Sequence, residues 1–79
     1  MARSALHLVF PQDLIKEPVM YIVAREYDLM LNIRRAKITS DAGEATIELE
    51  GDEDRIARAV SAFKARGVKV TSVLGDILE

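Results

Sequence analysis

Few residues in this chain have side chains suited to polar chemistry, and most of them fall on segments that alternate like β-strands. His7 is the single histidine. Beside a carboxylate such as Glu48 or Asp41 it could share a proton and act as a general acid or base. A lone histidine on a strand more often serves as a solvated or cross-strand polar group, and no catalysis is expected from it. The pair Arg34-Arg35 could clamp a carboxylate through the forked guanidinium. Consecutive strand residues point to opposite faces, however, so only one of the two can serve such a site unless a bulge turns both outward. The competing role for these arginines is salt bridging to Glu44, Glu48 or Glu50 on a paired strand.

Other chemistries are excluded by what is missing. The chain has no cysteine, which removes disulfides, cysteine-held clusters and thiol catalysis. One histidine among scattered carboxylates gives no metal-ligand spacing, so neither a metal nor a cofactor is expected. A phosphate-cradling loop would be rich in glycine, and Pro11 to Glu17 contains none. A net charge of −2 and a pI near 5.4 lack the basic footprint of nucleic-acid binding. An RNA-binding sheet of this kind would also need stacking aromatics, but Phe10 falls on the inward side and Tyr21 and Tyr27 on a helix. No apolar run approaches a membrane span and the first residues do not form a signal-peptide core, so a cytoplasmic protein without membrane insertion is expected.

Seventy-nine residues, 49% apolar and 30% charged, amount to one globular domain spanning 1–79, with a core small enough to gain from pairing with another surface. Ser4 to Phe10 alternates, with Leu6, Leu8 and Phe10 on one face, and ends at Pro11. Pro18 suits the first position of a helix, and Val19, Ile22, Val23 and Tyr27 carry helical spacing to about residue 27. Leu29, Leu31 and Ile33 then alternate, but the apolar phase returns at Ala36 and Ile38, which predicts a one-residue bulge near Arg34-Arg35. Thr39 to Gly43 is a turn. Glu44 to Glu50 alternates and forms a hairpin with the preceding strand. Asp52 caps a second helix whose buried stripe is Ile56, Ala59, Val60 and Phe63, with Gly67 at the left-handed position that ends it. Val68 to Val73 is a last strand, and Leu74 to Glu79 a tail or a further piece of edge.

The order β-α-β-β-α-β with right-handed crossovers gives an α+β, ferredoxin-like sandwich: a four-stranded antiparallel sheet ordered 4-1-3-2 with two helices on one face. The uncovered face should display Ala5, His7, Val9, Met30, Asn32, Arg34, Thr46, Glu48, Lys69 and Thr71. Such a mosaic suits a wet interface or a small polar ligand, or simply the solvated side of an antiparallel sheet.

Taken in order, Lys16-Glu17-Pro18-Val19, Tyr27-Asp28-Leu29-Met30-Leu31-Asn32-Ile33, Ala42-Gly43 before an alternating strand ending Leu49-Glu50-Gly51, and Ile56 to Gly67-Val68 resemble the NIL domain. That module has a ferredoxin-like fold and is named for an Asn-Ile-Leu motif on its second strand. It occurs at the C-terminus of the ATPase subunits of methionine-import ABC transporters, and in stand-alone or ferredoxin-fused forms. The resemblance covers roughly residues 6 to 73.

In the transporters the domain is similar to amino-acid-sensing ACT domains, pairs with a second copy and binds methionine, which inhibits transport. The resemblance therefore implies a small non-catalytic regulatory module that acts as a homodimer and binds an amino acid, methionine or a relative. It marks Asn32 as the ligand-binding position, an amide that can both donate and accept, with Met30 and Ile33 beside it. Met30 would offer a soft apolar wall to a thioether. The chain reads Asn32-Ile33-Arg34, so arginine stands where the motif has leucine, and Arg34 could hold a carboxylate. The alternative is a protein-interaction module without a small ligand, partnering ferredoxin-type or transporter proteins in sulfur-amino-acid metabolism. The chain carries neither an ATPase segment nor cysteines, which sets it apart from both the transporter subunit and the ferredoxin-fused form.

Overall fold

Strand β1 (Ala2–Pro11) lies inside the sheet, with β3 (Ala42–Gly51) on one side and β4 (Lys69–Ser72) on the other; β2 (Met30–Ile38) pairs with the far side of β3. A computed structural model describes residues 2–14 and 18–73. All pairings are antiparallel and the order is β2-β3-β1-β4, the expected α+β ferredoxin-like arrangement. Helices α1 (Val19–Glu26) and α2 (Glu53–Ala65) supply the second layer.

Alternation on the two inner strands builds the core. Leu6 faces Ile47, Leu8 faces Ala45 and Phe10 faces Gly43 across the β1–β3 ladder, and all six are buried. Val19, Val23 and Ala24 of α1 and Ile56, Ala59 and Phe63 of α2 close over them. None of the buried residues is polar or charged among those described, so burial here is nearly all hydrophobic gain.

Both helices end in the same way. In α2, Val68 N–H donates to Phe63 C=O (3.0 Å) and Gly67 N–H to Lys64 C=O (3.0 Å), with Gly67 at φ 98°. In α1, Leu29 N–H donates to Ala24 C=O (2.8 Å) and Asp28 N–H to Arg25 C=O (3.2 Å), with Asp28 at φ 55°. These are Schellman endings, and the left-handed residue is glycine in one and aspartate in the other. A side chain in that region carries a steric cost. Asp28 also accepts from Arg55 at 3.0 Å, a highly exposed pair of small worth. Asp28→Gly should therefore raise stability, by about 0.5 kcal/mol, as read in urea unfolding midpoints; a loss of stability would show that the Arg55 contact outweighs the backbone strain.

Several expectations shift by a residue. Pro18 sits at the N-cap and α1 begins at Val19; proline has no N–H to place inside the helix, and its carbonyl accepts from Ile22 N–H at 3.0 Å. Asp52 is the N-cap of α2, yet its carboxylate makes no capping hydrogen bond. Glu53 and Asp54 in the first turn answer the helix dipole instead. A 3₁₀ turn, Gln12–Leu14, follows β1. The expectation for Leu74 to Glu79 lies outside the described residues.

Candidate functional site

The β2–β3 register slips between Ile33 and Arg35: Ile33 pairs with Ile47, and Arg35 with Thr46. This is the bulge expected near Arg34-Arg35. It restores the inward phase at Ala36 and Ile38, which pair with Ala45 and Gly43. Its second effect is to leave Arg34 and Arg35 on the same, uncovered face. Arg34 Nη1 lies 3.5 Å from Glu48 Oε2, the cross-strand salt bridge that the sequence allows.

The inward face of β2 is less covered than its alternation implies. Leu31 is half-buried and packs on the core, but Ile33 and Ile38 are 48% and 58% exposed. Helix α1 has only eight residues, and its first turn faces the hairpin end of the edge strand. Between them is a cavity of about 240 Å³, lined by Phe10, Leu14, Met20, Tyr21, Ile33 and Ile38 among others, almost entirely apolar. Gly43 forms part of its floor, and a Cβ there would sit 3.0 Å from Ile38 Cδ1. Filling this point should cost little stability and narrow the cavity: Gly43→Ala is expected to shift the melting temperature by only a few degrees, with a larger fall pointing to a rigid Ile38.

The four residues implicated by the motif do not all converge: Asn32 and Arg34 both reach the Glu48 carboxylate, whereas Ile33 is set apart. Ile33 lines the apolar cavity on the helix side. Asn32 and Met30 lie on the uncovered face with Arg3, Glu48 and Glu50, and Asn32 Nδ2 donates weakly to Glu48 Oε1 at 3.4 Å. Arg34 lines a separate depression with His7, Arg35, Thr46 and Val73. The separation of Ile33 from the other three follows from the pleat, which sends neighbouring side chains to opposite faces. Met30 is 68% exposed and walls no enclosed space. Tyr21, Met20 and Leu14 also line the cavity, and nothing in the local sequence marks them as parts of a site.

His7 meets neither Glu48 nor Asp41. Its Nε2 lies 3.2 Å from Glu44 Oε1 and its Nδ1 3.3 Å from Thr46 Oγ1, the donor depending on the tautomer. These are cross-strand polar contacts. At the far end of the face, Arg3 donates twice to Glu50 Oε2, at 2.8 and 3.2 Å, and the hydrogen bond to Glu50, with its charge, pushes the Arg3 guanidinium above its usual range. Among the described residues no group of three or more His, Cys, Asp or Glu could hold a metal ion, and no helix is long and apolar enough to cross a membrane.

An antiparallel βαββαβ sandwich with a bulged, largely bare edge strand defines a small α+β domain of the ferredoxin-like class. The NIL domain profile matches residues 4–72, and the chain belongs to that family. The structure is similar to the C-terminal domain of an ABC transporter ATP-binding protein from Enterococcus faecalis, at 23% identity and a TM-score of 0.78, over 89% of this chain and 82% of that one. It also resembles the de novo designed protein Foldit4 at 9% identity and a TM-score of 0.54, over 91% and 97% of the two chains. No curated protein matches the sequence.

Proposed function

We propose that this NIL domain is a cytoplasmic, non-catalytic module of a single unit that binds a free amino acid, methionine or a close relative, along the edge of β2. The observation that carries this reading is the apolar cavity beside Ile33. It sits on the very strand that bears the family motif, is lined by a methionine, a tyrosine and isoleucines, and offers a flexible unbranched side chain an apolar slot. The charged end of the ligand then lies at the strand edge, where the outward backbone groups of β2 have no partner strand among the described residues.

A second copy completes the site. β2 is a nine-residue edge strand of the kind that pairs with another chain, and two-fold pairing there would bring two cavities together across the junction. Asn32 lies on the uncovered face of this same edge strand, next to Ile33 in the chain, and its amide can reach over the strand edge to the ammonium or carboxylate of a ligand held between two copies. Binding that favours the pair over the single chain shifts the monomer–dimer equilibrium, and that shift is the regulatory output.

Asn32→Ala is expected to weaken methionine binding severalfold in calorimetric titration while leaving the thermal melt nearly unchanged, since the residue is exposed and its one bond is long. Unaltered binding would remove Asn32 from the site. If neither methionine nor any other amino acid shifts the melt, the module is one that recognises a protein through its mixed face.

A further inference from the structure

Across the middle of the uncovered face runs the row Arg35, Thr46, His7, Thr71, one residue from each strand. The bulge adds Arg34 to the same face, and with Val73 as a wall these groups surround a polar depression of about 410 Å³. Two carboxylates flank it along β3: Glu48 beside Arg34 at 3.5 Å and Glu44 beside His7 at 3.2 Å. Against these two carboxylates the same face carries four cations, Arg34 and Arg35 at the depression and Lys37 and Lys69 one row beyond on β2 and β4, with Lys37 opposite Glu44. The row itself contains no acid. Its members between the two sides are a hydroxyl and an imidazole already 3.3 Å apart.

We infer that this depression binds a small oxyanion, the shared chemistry of a carboxylate or a phosphate monoester. The forked guanidinium of Arg35 takes two of its oxygens, and the Thr46 hydroxyl and His7 Nε2–H, which turn from their contacts with the His7 ring and with Glu44 to do so, donate hydrogen bonds to the remainder. Arg34 sits at the rim and trades part of its contact with Glu48 for the anion. A strand without the bulge would put one arginine on the cavity side, so the inserted residue is what gives the site two guanidinium groups. The site lies on the opposite side of the sheet from the apolar cavity and does not depend on an amino acid binding there.

The test is a titration of the isotope-labelled full chain, followed by amide resonances, with inorganic phosphate and separately with succinate, against sodium chloride at matched ionic strength. Saturable shifts centred on His7, Arg35 and Thr46 are expected for at least one of the two anions and not for chloride. Tighter binding of phosphate assigns the site to phosphate esters, and tighter binding of succinate to carboxylates. Arg35→Gln should weaken binding at least tenfold, and Arg35→Lys, which keeps the charge and loses the fork, should fall between. The anion response should persist in a variant with a blocked apolar cavity, so its failure is separable from failure of the amino-acid reading. Equal shifts with chloride, or an Arg35→Gln protein that binds as tightly as the parent, would overturn the inference.

Discussion

Phe63→Ala is expected to leave the chain largely unfolded at 37 °C. Phe63 is fully buried near the end of α2, in a cluster that joins both helices to the two central strands. Truncating a buried phenylalanine costs about 3–5 kcal/mol, through lost transfer energy and the cavity left behind. A chain of 79 residues has about 4–12 kcal/mol of total stability, so the loss consumes most of the margin. For a domain of this size it corresponds to a fall in melting temperature of roughly 15 °C or more. Circular dichroism melts of the parent and of Phe63→Ala and Phe63→Leu would check this. Leucine should recover most of the loss, because volume-sparing apolar exchanges cost about 1.5 kcal/mol or less. A loss under about 1 kcal/mol for alanine would mean that the helices do not depend on this contact.

Ile33→Asp is expected to abolish methionine binding. The parent should gain about 2.7 kcal/mol at a hundredfold excess of ligand over its dissociation constant, a rise of roughly 10–20 °C in a small domain. Aspartate at this position places a carboxylate at the mouth of the apolar cavity, where it strips the slot of its apolar wall and must be desolvated when a thioether enters. The fold should survive, because Ile33 is about half exposed on an edge strand; the cost to the apo protein is about 1 kcal/mol of strand preference. Melts with and without methionine separate the two effects. An undiminished rise in the variant would place the ligand elsewhere on the molecule.

The architecture was readable because each element carries its own signal. Period-two alternation at Leu6, Leu8 and Phe10 and at Ala45, Ile47 and Leu49 marks two inner strands, and these are the residues buried in the core. The phase change between Ile33 and Ala36 located the bulge, since a strand that must return its apolar side chains to one face has few other means. Gly67 announced the end of α2, whereas Asp28 adopts the same left-handed geometry at the end of α1 without a residue type that signals it as strongly. Asp52 looked like a capping side chain and is only a cap position, because a side-chain rotamer is chosen by surroundings that the local sequence does not contain.

The candidate site was legible only in pieces. The motif pointed to β2, and β2 does bear the exposed edge and Ile33, a wall of the cavity. The cavity itself opens between the first turn of α1, Leu14 and the hairpin end of β2, and that gap depends on how these elements pack. A motif of adjacent residues also reads as one site, while the pleat distributes Met30, Asn32 and Arg34 to one face and Ile33 to the other. Arg34 and Arg35 show the reverse: alternation separates them and the bulge reunites them.

The measurement that bears most directly on the central claim is a titration of the labelled protein with methionine, read residue by residue from amide and methyl resonances. The account expects saturable shifts at Leu14, Met20, Tyr21, Ile33 and Ile38, the walls of the apolar cavity, together with Asn32, and a larger hydrodynamic size as the edge strands pair. Absence of saturable shifts with methionine, homocysteine or any of the common amino acids, or shifts confined to the opposite face of the sheet, would contradict it.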